Sequence, residues 1–244
     1  QTDLVIVLAH SSPKEAERIL TELPQVHIVI NGHDHSGQKE LVRVGDRLVA
    51  RVRGYAQEVG VLKLTVDRAQ RQITDAKWQA RPIDANSLTP DPRTAQLVAS
   101  WESRVAEKLD VVIAESKRDF ASRNDLVPFV ERAIREQLNV DIAYQNSGGI
   151  RDRLSAGPIT ERKIWTLLPF DNALVWGKFK GSQLPEFIRQ RQSIDPDREY
   201  TFATNDFIAE TDNVQRWGNL SFPNKGPEIR TAFLEWLKKN KTLE

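Results

Sequence analysis

Short runs of consecutive apolar residues, separated by polar turns, mark the first third of the chain. Residues 4–9 and 26–30 are two such runs, and each predicts a buried strand. Between them, Pro13 precedes apolar positions at helical spacing, which predicts a helix over residues 13–23. A strand, a helix and a second strand in this order predict a parallel pair whose carboxyl ends share one edge of a sheet.

The apolar pattern continues through the rest of the chain. Further strands are predicted at residues 40–44, 48–52, 59–66 and 73–81. After a polar stretch containing prolines, apolar residues recur at helical spacing from Val98 to Leu109 and predict a long amphipathic helix. From Val111 onward, mixed helical and strand patterns supply enough apolar segments for an independent core. We therefore expect an α/β protein, divided into residues 1–85, 86–110 and 111–244.

Composition narrows the class of protein. The 244 residues suffice for one and a half domains or two small ones, and the net charge is only +1. Lys and Arg are dispersed, which argues against a nucleic acid polymer as the main partner. No run of about 18 apolar residues occurs, so no transmembrane segment is predicted. The lack of Cys excludes disulfides and thiolate metal sites.

Three of the four histidines follow the first two predicted strands. His10 comes directly after the first strand, and His33 and His35 lie in the Asn-Gly-His-Asp-His segment after the second. The shared sheet edge would bring the three imidazoles together, and imidazole is a common ligand of transition metals. A single histidine in such a place is more often a hydrogen-bonded structural residue, which is our interpretation of His27. We predict a metal site at the other three.

Several motifs resemble known families. Leu-Ala-His-Ser-Ser at residues 8–12 and Gly-His-Asp-His at residues 32–35 resemble the last two metal motifs of the calcineurin-like metallophosphatases. Residues 146–151, 168–172 and 203–207 resemble the C-terminal domain of the 5'-nucleotidase / UDP-sugar hydrolase family. The resemblance covers nearly the whole chain. It implies the C-terminal part of a metallophosphatase αββα sandwich, a linker helix, and a mixed α+β 5'-nucleotidase C-terminal domain.

The same resemblance implies a preceding segment. In the family, Asp-x-His, Gly-Asp and Gly-Asn-His-Asp/Glu come before the motif that contains His10, and none of them precedes it here. Those motifs hold the remaining metal ligands and a catalytic His-Asp pair, so we expect no catalytic residue in this chain. Gln1 is not an initiator residue, and we interpret the chain as the C-terminal part of a longer protein. The family is typical of the periplasm or the cell exterior.

The segment at residues 146–151 is the first candidate for substrate binding. The resemblance assigns ligand contacts to Asn146 and Arg151, beside the glycine pair Gly148 and Gly149. Glycines let the backbone approach a ligand closely, and the planar guanidinium suits phosphate, carboxylate or sugar hydroxyls. A tight turn explains the glycines equally well, and a surface ion pair is the alternative for Arg151.

Two phenylalanines are the second candidate. In the family, the aromatic residues matched by Phe170 and Phe207 sandwich the base, and such stacking is worth roughly 1–3 kcal/mol per base. Most Phe residues lie in cores, but these two have Pro or polar neighbours that favour loops. Asn172 matches a family Asn whose amide would read a base edge.

Two departures from the family pattern affect the ribose and anion contacts. The family's Gly-Gly-Asp-Gly is replaced by Ile-Ala-Glu-Thr-Asp-Asn at residues 208–213. The family Asp falls on Asn213, with Asp212 one residue away, and either is a candidate for binding the ribose. A further family Arg has no direct match, so Arg118 or Arg123 is the candidate for that contact.

The resemblance implies hydrolysis of nucleotides to nucleoside and phosphate. Two divalent ions, Zn, Mn or similar, about 3.5–4 Å apart would clamp the phosphoryl group and activate water. His10 and His33 would complete one metal site and His35 the other, with Asp34 or Asn31 orienting an imidazole. The chain alone is expected to be inactive.

Three alternatives to a 5'-nucleotidase stay open. The first is a 2',3'-cyclic nucleotide phosphodiesterase/3'-nucleotidase, and the second is another ester hydrolase of the fold, such as one acting in sulfur oxidation. The third is a non-catalytic nucleotide-binding module.

Overall fold

The computed structural model describes residues 2–191, 193–211 and 220–244. It contains two compact units, Gln1–Thr94 and Ala95–Glu244. The three-part division predicted from the sequence stays a prediction. Within the part of the chain that the structure describes, no helix is both long and apolar enough to cross a membrane.

The first unit contains a helix and two small sheets. Its elements are β1 (Ile6–Ala9), α1 (Pro13–Glu22), β2 (Ile28–Asn31), β3 (Val42–Val44), β4 (Arg47–Ala50), β5 (Glu58–Asp67) and β6 (Gln72–Pro82). One sheet has the order β1-β2-β4-β3, in which β2 pairs in parallel with β1 and β4, while β3 is antiparallel to β4. Strands β5 and β6 form an antiparallel ribbon. The predicted strand–helix–strand unit is present, and the carboxyl ends of β1 and β2 share an edge.

Local sequence fixes the start of α1. The Ser12 side chain accepts a hydrogen bond from the Glu15 amide, and the Glu15 carboxylate accepts one from the Ser12 amide at 2.9 Å. Pro13 occupies the first helical position, where its missing N–H is not needed. Ala16 and Leu20 are fully buried in a cluster with the strand side chains. The helix therefore begins at a defined residue, shortly after His10.

Helix α2 (Pro92–Leu109) spans the apolar repeat that predicted a long helix. None of its residues is buried, although its sequence is amphipathic.

The second unit is a mixed α/β domain. Its elements are β7 (Val112–Ser116), α3 (Arg123–Leu138), β8 (Ile142–Ala143), a 3₁₀ turn (Ser147–Gly149), β9 (Gly157–Thr160), α4 (Glu161–Leu167), β10 (Ala173–Lys180), a second 3₁₀ turn (Gly181–Gln183), α5 (Glu186–Arg191), β11 (Glu199–Asn205), α6 (Asp206–Thr211), β12 (Asn224–Glu228), α7 (Ile229–Asn240) and β13 (Thr242–Leu243). One sheet has the order β12-β10-β11-β8, and the other β13-β7-β9.

Two apolar clusters hold this unit together. The larger contains Phe120 and Phe233, both at most 1% exposed, and packs α3 and α7 against strand residues. The smaller is built around Phe202, which is fully buried in β11. Phe129 and Phe187 are partly buried and pack against the larger and the smaller cluster, respectively.

Strand register brings three chain segments to one sheet edge. Strands β10 and β11 are antiparallel with Leu174 opposite Asn205, so β10 begins where β11 ends. Strands β8 and β11 are parallel with Ala143 opposite Ala203, so their carboxyl ends coincide. The residues just before β10, just after β11 and just after β8 are therefore neighbours.

The amino terminus of α3 offers a test of this fold. The Ser122 side chain accepts from the Asn124 amide at 3.2 Å, and the Asp125 carboxylate accepts from the Ser122 amide at 3.0 Å. Ser122→Ala removes the side-chain acceptor of the first turn and should lower the free energy of unfolding by about 1 kcal/mol. Urea denaturation followed by circular dichroism measures the change.

A serine inside a helix is the control. The Ser103 hydroxyl donates to the Ala99 carbonyl at 2.9 Å within α2, so Ser103→Ala removes no cap. Its effect should be smaller than about 0.5 kcal/mol. Equal losses for the two variants would contradict the capping role of Ser122.

Candidate functional site

Two of the predicted metal ligands are in contact. His10 follows β1 and His33 follows β2, and the shared strand edge brings the His33 Nδ1 to 3.2 Å from the His10 Nε2. Their ring centroids are 4.9 Å apart in an edge-on arrangement. This separation fits a hydrogen bond between two neutral rings. It also fits two ligands of one ion, since nitrogens bound at ~2.1 Å in tetrahedral geometry lie about 3.4 Å apart.

His35 lies on the same loop with a different neighbour. Its ring packs edge-on against Tyr55 with centroids 4.8 Å apart, and its carbonyl accepts a hydrogen bond from the Gly54 amide at 3.1 Å. Both His33 and His35 have positive φ angles, 82° and 58°. Non-glycine residues rarely adopt this conformation, so the backbone of the loop is strained at the two residues that carry the imidazoles.

Polar side chains brace the histidine loops. Asn31, 5% exposed at the end of β2, exchanges hydrogen bonds with Ser11: its amide donates to the Ser11 carbonyl at 3.0 Å and accepts from the Ser11 hydroxyl at 2.9 Å. The Asp34 carboxylate accepts from the Ser36 hydroxyl at 2.6 Å and lies 3.8 Å from Arg51. Although the sequence makes Asn31 and Asp34 candidates for orienting an imidazole, these contacts brace the loops themselves.

His27 has a structural role, as its place within the second predicted strand suggests. Its Nδ1 accepts from the Val5 amide at 3.2 Å and its Nε2 lies 3.2 Å from the Arg71 carbonyl. Among the described residues, no group of three or more His, Asp or Glu side chains is placed to hold a metal ion. The available donors are the adjacent imidazoles of His10 and His33, with His35 on the same loop as His33. These three side chains fit part of a metal site rather than a complete one.

The second unit assembles its candidate site around one carboxylate. Asp206, the first residue of α6, accepts hydrogen bonds through Oδ1 from the backbone amides of Ala173 at 3.2 Å and Phe207 at 2.9 Å. The same oxygen accepts from the Asn172 side-chain amide at 3.3 Å, and Oδ2 lies 3.3 Å from the Lys225 ammonium. One side chain therefore fixes the start of β10 to the start of α6.

These contacts determine the protonation state of Asp206. Partial burial acts to raise the pKa of its carboxyl, but the hydrogen bonds from Asn172, Lys225 and the two backbone amides outweigh burial and hold the pKa below its usual range. The carboxylate stays ionised at neutral pH and remains an acceptor for all four donors.

A buried amide network supports the segment that follows β8. The Asn205 amide donates to the Gln145 Oε1 at 3.0 Å, and the Asn205 Oδ1 accepts from the Ile208 amide at 2.9 Å. The Gln145 Nε2 donates to the Asn146 carbonyl at 2.9 Å and lies 3.1 Å from the Asn146 Oδ1. A Cβ at Gly149 would come too close to the Gln145 Nε2, so a larger residue there would displace the end of the Gln145 side chain from this network.

The network ends at a buried carboxyl. Glu131 in α3 accepts from the Gln145 backbone amide at 3.1 Å and pairs with Arg191 at 3.2 Å. Burial raises the pKa of Glu131, although the Gln145 amide and the Arg191 guanidinium act in the opposite direction. The strand end that carries Asn146 is thus anchored to the core helix behind it.

The structure places Arg151 beside Phe170. The Arg151 guanidinium carbon lies 5.7 Å from the centroid of the Phe170 ring, and its Nη1 donates to the Gly148 carbonyl at 3.2 Å. Its backbone amide donates to the Leu167 carbonyl at 2.8 Å, which ties it to the end of α4. Phe170 is 44% exposed and Phe207 is 53% exposed, as expected for rings at a surface site.

The two arginines that are candidates for the further family contact, Arg118 and Arg123, have different neighbours. The Arg118 guanidinium lies over the Phe120 ring at 4.4 Å, whereas the Arg123 Nη1 donates to the Ile150 carbonyl at 3.3 Å, next to Arg151. Of the two arginines, Arg123 has the contact with the glycine-containing segment. The predicted ribose residues, Asp212 and Asn213, lie outside the described residues.

The motifs do not single out four residues that hold the backbone around the site: Asp206, Gln145, Glu131 and Arg230, whose Nη1 donates to the Leu168 carbonyl at 3.1 Å. Asp206 had a signal, because it stands between Asn205 and Phe207 in a matched motif. Gln145 immediately precedes another motif. Glu131 and Arg230 are helix residues whose partners lie far along the chain, and no local pattern distinguishes them.

The family model described as "5'-nucleotidase, C-terminal domain" matches residues 105–193. The match includes Asn146, Arg151, Phe170 and Asn172, and Phe207 lies beyond its end.

Two curated proteins show the extent of the similarity. Endonuclease YhcR of Bacillus subtilis (strain 168) is 24% identical over 285 residues, covering 96% of this chain and 23% of that protein. Protein UshA of Yersinia enterocolitica is 27% identical over 158 residues, covering 59% of this chain and 28% of that protein. The matched region spans less than half the length of either relative.

A solved structure shares the fold. The 5'-nucleotidase precursor from Thermus thermophilus superposes with a TM-score of 0.78 at 20% identity, covering 100% of this chain and 62% of that one. The predicted fold class is confirmed: a mixed α/β chain with a nucleotidase C-terminal domain. Residues 105–193 therefore match the 5'-nucleotidase C-terminal domain, and the resemblance to the 5'-nucleotidase family predicted from the motifs is confirmed.

Proposed function

We propose that this chain is the substrate-binding and partial metal-binding portion of a two-metal phosphoesterase that hydrolyses nucleotides to nucleoside and phosphate. The second unit would bind the base and ribose, and the first unit would supply His10, His33 and His35 to the metals. A preceding segment of the same protein would supply the catalytic His-Asp pair. We propose a periplasmic or extracellular location, in keeping with the resemblance.

One observation carries the proposal for the second unit. The ends of β8 and β11 and the start of β10 meet at one edge, and Asp206 links the segments that carry Phe170 and Phe207. Two exposed rings on neighbouring braced segments suit a planar base, because aromatic stacking tolerates different bases. Arg151 lies beside one of the rings, where its guanidinium suits a phosphate or sugar hydroxyl.

The first unit supports the hydrolytic part of the proposal. The nitrogens of His10 and His33 are close enough to share one ion, and His35 lies two residues further along the same strained loop. Bound metal ions would polarise the phosphoryl oxygens and lower the pKa of an attacking water. The chain's own contribution is to hold the imidazoles on loops braced by Asn31 and Asp34.

Removing either exposed ring should weaken nucleoside binding. We expect Phe207→Ala or Phe170→Ala to raise the Kd for adenosine about tenfold or more, because each ring contributes roughly 1–3 kcal/mol of stacking. Isothermal titration calorimetry of the 244-residue chain with adenosine measures this. Trp101→Ala, which removes an exposed aromatic of α2, is the control and should leave the Kd unchanged. Unchanged affinity in both Phe variants would exclude the proposed base site.

Asp206 should make stability depend on pH. Its pKa is lowered on folding, so its contribution is present above the unfolded value of about 3.9 and is lost as pH falls through the lower folded value. Asp206→Asn should cost on the order of 1–2 kcal/mol at pH 7. The difference from the parent chain should shrink below about pH 4. Urea denaturation from pH 3 to 7 tests this, and a difference that does not vary with pH would contradict it.

Activity should require the preceding segment. We expect the 244-residue chain to release no phosphate from AMP with Mn²⁺ or Zn²⁺, and a longer form carrying the Asp-x-His and Gly-Asn-His-Asp/Glu motifs to release it. In the longer form, His33→Ala should lower the rate of phosphate release and reduce the amount of bound metal. The loss of activity should exceed the roughly 10–100-fold that is typical when a residue hydrogen-bonded to a metal ligand is replaced. His27→Gln, outside the metal loops, is the control.

A substrate panel completes this test. Hydrolysis of 2',3'-cyclic nucleotides in preference to AMP would favour the cyclic phosphodiesterase alternative. Hydrolysis of AMP by the 244-residue chain itself would overturn the proposal that a preceding segment supplies the catalytic residues.

A further inference from the structure

An arginine at the start of α7 forms hydrogen bonds with the loop that carries Phe170. Arg230 is 3% exposed, and its Nη1 donates to the Leu168 carbonyl at 3.1 Å. Its Nη2 donates to the Asp171 carboxylate at 2.5 Å and to the Glu228 carboxylate at 2.9 Å. The guanidinium therefore reaches both sides of Phe170 at once.

Contacts of Ile229 and Trp165 further fix the loop and the Arg230 side chain. The Ile229 amide donates to the Asn172 carbonyl at 3.0 Å, so two consecutive residues of α7 bind three points of the loop at residues 168–172. The Arg230 guanidinium carbon also lies 3.7 Å from the centroid of the Trp165 ring in α4. The start and the end of the loop are fixed, while the Phe170 ring between them stays exposed.

The position of this charge is unfavourable in itself. A cation near the amino terminus of a helix opposes the helix dipole, and a buried guanidinium loses hydration unless it is paired. The side chains of Asp171 and Glu228 are 74% and 41% exposed, so neither partner is itself deeply buried. These costs are offset only when all the acceptors are in place, which couples the conformation of the loop to Arg230.

We infer that Arg230 is a positioning residue that holds the loop at residues 168–172 in the conformation presenting Phe170 and Asn172 to the substrate base. The inference rests on the proposed function for its effect on binding. The planar fork of an arginine can serve the carbonyl and both carboxylates together, whereas a lysine ammonium is a compact point charge. Arg230→Lys keeps the charge and removes this geometry.

The matched control is another arginine with similar partners. Arg132 pairs with Glu136 at 2.8 Å and lies 5.6 Å from the ring centroid of Trp236. Arg132→Lys makes the same exchange of a guanidinium for an ammonium in the same unit, away from the loop and at a side chain that is 57% exposed. A second variant, Asp171→Asn, removes the negative charge of one partner of Arg230 but keeps an acceptor oxygen, at a side chain that is 74% exposed.

The experiment has two readouts on the 244-residue chain. Hydrogen–deuterium exchange of the peptide spanning residues 168–174 measures the order of the loop, with β11 peptides as the internal standard. Calorimetry with adenosine measures the Kd. For Arg230→Lys we expect exchange at least about tenfold faster in the loop peptide alone and a Kd raised at least about tenfold, the effect of losing a fork of charge-assisted hydrogen bonds. Asp171→Asn should give smaller changes in the same direction, and Arg132→Lys neither.

The outcomes separate this inference from the proposed function. Unchanged loop exchange in Arg230→Lys would overturn the inference, as would faster exchange in every peptide, which indicates general destabilisation. Faster loop exchange with an unchanged Kd would overturn the link to binding. Local loosening in a chain whose parent form does not bind adenosine would support Arg230 as the residue that orders the loop, and would overturn the nucleoside proposal instead.

Discussion

The Asp206 carboxylate is the contact on which the geometry of the second unit's candidate site most depends. It joins the first residue of β10, where the chain enters the sheet after Phe170, to the first turn of α6, where the chain has left β11 before Phe207. Because its donors include two backbone amides, the carboxylate fixes main-chain positions rather than side-chain positions alone. Burial and hydrogen bonding act on the pKa of this carboxyl in opposite directions, and the hydrogen bonds hold the pKa below its usual range.

Support on the other sides of the site comes from buried polar groups. Glu131 and Gln145 hold the end of β8, and Arg230 holds the loop before β10. Buried polar groups are costly when unpaired, so each of these side chains is stable only in the arrangement that satisfies its partners. The exposed residues proposed to meet the ligand are thus supported by buried, hydrogen-bonded side chains.

Local sequence patterns predicted much of this structure. Apolar runs predicted β1, α1 and β2, and the strand–helix–strand order predicted that His10 and His33 would meet. The motif resemblance located the segments around Asn146 and Phe170. The supporting contacts could not be read in this way, since Arg230 lies 59 residues from Asp171 and Glu131 lies 60 residues from Arg191. Such pairs depend on tertiary packing, which periodicity does not reveal.

Because two of the donors to Asp206 are main-chain amides, the side chains at those two positions can vary without loss of these hydrogen bonds. The amides of Ala173 and Phe207 are present whatever side chains those positions carry. An aromatic ring at position 207 can therefore be exchanged for another without removing a hydrogen bond that holds the strand ends together. If the proposed base site is correct, single substitutions at this end of the sheet would alter which base is accepted while these hydrogen bonds remain.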